Sequence, residues 1–297
     1  MVAASTHAKP GGGLEFGVMR LAVSYSTPAF GVDPDRLVRF ARHAEACGFE
    51  ALYVPEHVAL YPGATIGGGE MPPDLPYGDP LELLTFVAAH TERLLLGTGV
   101  LLLPFHHPVV LANRLATVDV LSRGRMRLPT VGLGVLPGEA QATGVDFATR
   151  GRRADEAIGV LRLLWSGDPN GVSFHGEFFH FDRLVSLPRP VGPSVLPIHV
   201  GGSSRAAARR AGQRGDGFLP GGMLTPDERR RQWELARDAA REAGRDPDAL
   251  EYTRFASSSL TPARAEALAA EGVTRVVVGG DEDDLTALAD RFGGLSG

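Results

Sequence analysis

Short β-rich runs alternate eight times with amphipathic helical stretches between Arg20 and Phe292, and this alternation constrains the fold more than any other feature. A parallel strand can be reached only through a long crossover, and a helix is the usual crossover, so the pattern calls for a parallel sheet wrapped by helices. The first unit shows the logic. Leu21 to Ser24 is an apolar run, Asp33 stands where a helix N-cap belongs, and Pro34 follows at the first helical position. Leu37, Val38, Ala41, Ala44 and Cys47 then recur at helical spacing until Gly48 stops the helix. The later strands read as 51–55, 94–103, 125–131, 197–200, 216–219, 251–257 and 273–278. Their helices start near 80, 108, 151, 204, 226, 262 and 283. Eight strand–helix pairs select an α/β fold of the (β/α)8 TIM-barrel type over an open doubly wound sheet.

A chain of 297 residues holds one such barrel, typically about 250 residues, plus insertions. We expect residues 1–19 to form a disordered leader and 20–297 a single barrel, with insertions near 58–79 and 168–190. The aromatic stretch from Val172 to Phe181, with a glycine at its centre, reads as a small hairpin covering one end of the barrel. The Arg150-Gly151-Arg152-Arg153 cluster, followed by Asp155 and Glu156, reads as a salt-bridged surface.

Single residues exclude whole classes of chemistry. Cys47 is the only cysteine, which removes an intrachain disulfide, a cysteine-held iron–sulfur cluster and a multi-cysteine zinc site. Lys9 is the only lysine and lies in the small-residue leader, so a pyridoxal Schiff base, a lysine aldolase and a P-loop each lack their amine. The net charge of −5, with interspersed signs, argues against nucleic-acid binding. The longest apolar stretch, Leu94 to Phe105, is far short of the ~20 residues that cross a bilayer. With no secretory signal, a cytoplasmic protein is expected.

Barrel enzymes build their sites at the C-terminal ends of the strands. After strand two come Glu56 and His57, the latter able to donate a hydrogen bond or shuttle a proton. Strand three holds Gly97-Thr98-Gly99-Val100, where glycine signals either tight packing or the close approach of a flat ring. Gly201-Gly202-Ser203-Ser204 joins strand five to its helix and is the leading phosphate-site candidate: glycines admit the anion, the helix start offers N–H groups, and a serine caps. A plain turn is the simpler alternative. Gly132 and Gly134 after strand four, and Gly221 and Gly222 after strand six, add points of close approach. His106 and His107 diverge on an extended loop, and no His-x-His or His-Glu-x-x-His spacing occurs, so no metal site is expected.

At these residues the chain resembles the bacterial luciferase-like monooxygenase superfamily, and within it the actinobacterial branch of coenzyme F420-dependent oxidoreductases. The matching stretches are 48–57, 96–104, 115–125 and 150–156, then Val200-Gly201-Gly202-Ser203 followed by Gly215-Asp216-Gly217-Phe218, so the likeness spans nearly the whole chain. It implies a barrel that holds a reduced deazaflavin or flavin at its mouth, with the phosphate at Gly201 to Ser204 and Thr98, Gly99 and Val100 under the ring. It also implies a cis peptide at Gly99–Val100, a catalytic role for His57, and an aromatic pocket wall at Tyr61. The chain departs from the family at Val135, where relatives carry an acid or an indole; the proton donor is then His57, Tyr61, Glu56 or solvent.

The resulting expectation is an enzyme that passes a hydride between reduced coenzyme F420 and a small organic substrate, with a separate enzyme reducing the cofactor and a homodimeric assembly. The alternatives are an FMN-dependent, O2-consuming monooxygenase and a cofactor-binding barrel without turnover.

Overall fold

The computed structural model describes residues 15–16, 19–192, 195–222 and 224–293. Eight parallel strands form the barrel: β1 (Met19–Ser24), β2 (Ala51–Val54), β3 (Leu95–Leu102), β4 (Met126–Gly132), β5 (His199–Gly201), β6 (Gly217–Leu219), β7 (Glu251–Ala256) and β8 (Arg275–Val278). Each pairs with its sequence neighbour, and β8 pairs with β1, so the sheet closes. The main helices are α1 (Pro34–Ala46), α2 (Pro80–His90), α3 (Pro108–Leu121), α4 (Arg150–Trp165), α5 (Arg205–Arg214), α6 (Pro226–Glu242), α7 (Pro262–Ala270) and α8 (Glu282–Arg291). This is the (β/α)8 TIM barrel that the alternation predicts.

The helix starts follow from local chemistry. Asp33, Asp79, Ser204, Thr225, Thr261 and Asp281 each accept a first-turn N–H through the side chain, meeting one donor that an α-helix leaves unpaired. Proline holds the first position of α1, α2, α6 and α7, where its missing N–H costs nothing.

Three residues of the expected leader are described and lie against the barrel. Glu15–Phe16 pairs antiparallel with Met19 and Arg20, and Met19 is 1% exposed, packed into the layer between sheet and helices. The other leader residues, 1–14 and 17–18, lie outside the described residues.

Strand side chains alternate between two cores. Leu21, Val23, Leu52, Val54, Leu96, Val276 and Val278 pack outward against the helices. Ala22, Ala51, Tyr53, Leu95, Leu128 and Val277 form a separate cluster that fills the barrel. Tyr53 is the largest member of that cluster, and a Cβ on Gly97 would meet its ring and Leu128 at 3.0 Å. Gly97 therefore serves tight packing.

An ionic plug closes the barrel at the strand N-termini. Buried Arg275 donates to Glu50 Oε2 at 2.6 Å and to Glu251 Oε2 at 2.6 Å, while Arg20 reaches Glu251 Oε1 at 2.8 Å. Among the described residues no helix is long and apolar enough to cross a membrane.

Candidate active site

The mouth of the barrel is organised around a carboxylate that motif reading passed over. Glu139 lies on a short helix, Pro137–Ala142, between β4 and α4, and is 1% exposed. Its Oε2 lies 3.2 Å from His57 Nδ1, and its Oε1 accepts the backbone N–H groups of Val58 at 2.5 Å and Ala59 at 3.4 Å. Glu139 thus ties the start of the 58–79 loop to the β4 side of the mouth and orients the imidazole. With Nδ1 bonded to a carboxylate, Nε2 is the position left to exchange a proton. The Tyr77 ring packs edge-on against His57, centroids 4.7 Å apart. Burial pushes the Tyr77 hydroxyl up, and Glu139 adds to that shift, so the phenol stays a neutral wall.

His57 follows the residue that bonds strand three. Glu56 N donates to Val100 O at 3.2 Å, and the Gly99–Val100 peptide is cis, as the resemblance implies. The β3–β4 register shifts between Gly99 and Leu101. Thr98 is buried and its hydroxyl donates to Thr130 O at 2.8 Å, so its side chain braces the strand from within.

The predicted points of close approach divide into two kinds. A Cβ on Gly132 would stand 2.5 Å from Val100 Cγ2, and one on Gly201 would stand 2.5 Å from Val100 Cγ1. Likewise Gly134 makes room for Phe105, at 2.5 Å. At these three positions glycine accommodates the protein's own side chains. A Cβ on Gly99 would meet only ordinary contacts, with Tyr53 at 3.5 Å and Phe255 at 3.6 Å. Phe255, at the end of β7, is 42% exposed and forms an apolar wall beside Gly99.

Two of the candidate acid–base residues are committed elsewhere. Glu56 is 5% exposed; its Oε2 accepts from Leu102 N at 2.5 Å, and its Oε1 lies 2.9 Å from His106 Nε2. The carboxylate pins the end of β3, with one contact to each oxygen. The Tyr61 hydroxyl accepts from Gly138 N at 3.2 Å, and its ring fills the space that a side chain on Gly138 would need. Tyr61 supports the helix that carries Glu139.

Across the mouth, Ser204 caps α5 by accepting from Ala207 N at 3.1 Å. Gly202 adopts φ +132°, a conformation that favours glycine, and its N–H bonds to Leu219 O at 3.1 Å. Ser203 is exposed beside Gly221, which a Cβ would bring within 3.1 Å of Ser203 Cβ, and Gly222 is open, with nothing within 4 Å among the described residues. Gln232 fixes the turn by donating to Ser203 O at 2.6 Å. A cleft of about 540 Å³ adjoins Ser203 between α5 and α6. Its rim mixes Arg205 and Arg231 with Glu228, Glu234 and Asp238 and so, among the described residues, carries no cationic cluster.

The hairpin is present, with Val172–His175 antiparallel to His180–Leu184. It docks on the flank of α4, where Phe179 is buried edge-on against His107 and Arg153 lies over its ring. The arginine cluster serves this docking: Arg152 pairs with Glu177 of the hairpin turn, and Arg153 donates to Pro104 O at 3.0 Å.

A closed barrel with a carboxylate-held histidine at its mouth and a glycine–serine helix start opposite defines a class of cofactor-dependent barrel enzymes. The profile of luciferase-like monooxygenases matches residues 14–289, and the chain belongs to that family. It is an oxidoreductase of the family. An uncharacterised protein of Mycobacterium tuberculosis is 33% identical over 249 residues, 82% of this chain and 84% of its own length. An F420-dependent glucose-6-phosphate dehydrogenase of Mycolicibacterium fortuitum is 32% identical over 318 residues, covering 92% of this chain and 88% of the relative. Among solved structures, the monooxygenase RslO1 from Streptomyces bottropensis aligns with 26% identity and a TM-score of 0.66, over 92% of this chain and 88% of that one. An F420-dependent secondary alcohol dehydrogenase in complex with an F420–acetone adduct shares the fold, with a TM-score of 0.77 at 16% identity over 92% of this chain and 98% of that one.

Proposed function

We propose that this protein is a coenzyme F420-dependent oxidoreductase that moves a hydride between the deazaflavin and a small organic substrate. The observation that carries this reading is the His57–Glu139 pair, with Nδ1 and Oε2 3.2 Å apart, beside the Gly99–Val100 segment to which Glu56 N bonds. The residues fit such a cofactor. Gly99 carries no side chain and is partly exposed, and Phe255 adds an apolar wall for a flat ring, while the N-terminus of α5, Ser203 and Ser204 suit a phosphate. When bound, the deazaflavin supplies the two-electron hydride chemistry.

The chain's own residues then do three things. The helix start and its serines hold the anionic tail. Phe255, Tyr77 and Val100 exclude water from the mouth. His57, held in one orientation by Glu139, moves the proton that accompanies hydride transfer through Nε2. The similarity to the F420-dependent relative supports the choice of deazaflavin. The reduced cofactor comes from a separate enzyme.

Anaerobic titration of the apo-protein with coenzyme F420 and with FMN, each oxidised and reduced, tests the proposal. Selective binding of coenzyme F420 in the micromolar range or tighter is expected; preference for reduced FMN overturns it. The second reading, an FMN- and O2-dependent monooxygenase, is favoured by the 26% identity to RslO1. Oxygen uptake coupled to product formation would select it.

A further inference from the structure

Two histidines and an aspartate converge on the solvent face of the hairpin, and none of them belongs to the site described above. His175 and His180 are directly opposite each other across the two strands. Asp182, two residues beyond His180, returns to the same face because strand side chains alternate. The Nδ1 atoms of the two rings are 3.0 Å apart, His175 Nε2 lies 3.1 Å from Asp182 Oδ1, and His180 Nε2 lies 3.7 Å from Asp182 Oδ2. One ligand atom from each residue lies within 4.8 Å of the others.

One ion takes a single nitrogen from each ring, and the Nε2–carboxylate distances are close to those of a metal shell. Ligand atoms bonded at 2.0–2.1 Å to a tetrahedral zinc ion stand about 3.3 Å from one another. The two imidazole-to-carboxylate separations bracket that value, so small rotations of exposed side chains would complete the geometry.

The backbone beneath the three residues is held firmly. The Glu156 carboxylate of α4 accepts the N–H groups of Glu177 at 2.7 Å and Phe178 at 3.0 Å, and Gly176 N closes the turn on Phe179 O at 2.9 Å. Phe174 and Phe181, on the opposite face, stack with ring centroids 6.2 Å apart and pack on the core. The scaffold therefore presents its ligands with little ordering left to do.

We propose that His175, His180 and Asp182 form a binding site for a divalent transition-metal ion, with water filling the remaining positions. Two imidazoles and one carboxylate select borderline ions such as Zn2+, Ni2+ or Co2+ over Mg2+ and Ca2+, which take oxygen ligands. The proposal departs from the expectation of no metal site. That expectation rested on spacings within a helix or along one strand, whereas pairing across a tight turn brings together histidines five positions apart.

Titrating tag-free, chelator-treated full-length protein with Co2+, followed by its visible absorption bands, tests the proposal, with Zn2+ as competitor. One equivalent is expected to bind in the micromolar range. His180→Ala and Asp182→Asn should each weaken binding roughly tenfold or more. Zinc should raise the melting temperature of the wild type and lose that effect in the His175→Ala/His180→Ala double variant. Both positions are exposed, so the metal-free variants should melt like the wild type. Wild-type protein that takes up less than half an equivalent at sub-millimolar Co2+, or a double variant that binds as tightly as the wild type, overturns the site.

Discussion

Glu139 Oε2 and His57 Nδ1, from residues 82 positions apart, meet at 3.2 Å at the barrel mouth. The contact links the two halves of the candidate site, since Glu139 also holds the backbone of Val58 and Ala59. If His57 moves the proton, His57→Ala should lower kcat by about a hundredfold, within the usual range for general acid–base groups, with little change in cofactor affinity. Glu139→Gln keeps the shape but removes the charge that fixes the ring, and should lower kcat and alter the pH–rate profile. Steady-state turnover measured beside a cofactor titration separates the two effects. Unchanged turnover in His57→Ala would remove the histidine from the mechanism.

Val100 sits in the space left by two glycines, with distances of 2.5 Å from its methyl groups to a Cβ on either Gly132 or Gly201. Gly201→Ala should destabilise the fold by about 1–3 kcal/mol through overpacking. Adding Val100→Ala should recover part of that loss, because the double variant removes the clashing methyl groups. Gly222→Ala, in open space, should stay within about 0.5 kcal/mol of wild type. Urea denaturation of wild type, Gly201→Ala, Val100→Ala and the double variant gives the coupling directly.

The helix start at Ser204 has a structural and a ligand role that different substitutions separate. Ser204→Ala removes the bond to Ala207 N and should cost about 1 kcal/mol of stability. Ser203→Asp places a negative charge at an exposed position and should weaken binding of a phosphate-bearing cofactor while leaving the melting temperature nearly unchanged. Equal cofactor affinity in wild type and Ser203→Asp would move the phosphate elsewhere.

The plug at the opposite end of the barrel sets the acid limit of stability. Burial holds His199, which is 2% exposed, down at about 4 from its ordinary value of 6.5, against the pull of Glu251. Burial would raise the Glu251 carboxyl, but Arg275, His199 and Arg20 together outweigh it and hold it at about 2. Both folded-state values are depressed, so in each window the unfolded chain binds a proton that the folded chain refuses. Stability should be full above pH 6.5 and fall through His199 down to pH 4, and through Glu251 from its ordinary value of 4.5 down to 2. The slope should approach about 1.4 kcal/mol per pH unit for each group. Denaturation at pH 7 and pH 5 should show this loss in wild type and a smaller one in His199→Gln. Arg275→Met, which leaves the buried Glu50 carboxylate with only its 3.4 Å contact to Arg20, should cost about 3–5 kcal/mol at pH 7.

What the sequence determined by itself is the barrel. Asp33-Pro34 and Thr225-Pro226 start α1 and α6 through contacts within one turn, and apolar periodicity marks each strand, so these elements depend on neighbours in the chain. His57 and the Gly201–Ser204 turn were legible because a barrel places its chemistry after the strands. Tertiary structure alone decided the rest. Nothing local separates Gly99, where a Cβ would meet only ordinary contacts, from Gly132 and Gly201, where it would clash with Val100, because the filling side chain arrives from another strand. Glu56 and Glu139 are both acids near strand ends, yet one is spent on Leu102 and His106 while the other orients His57. The partners lie 46 to 82 residues away, and the closure of the sheet is what brings them within hydrogen-bonding reach.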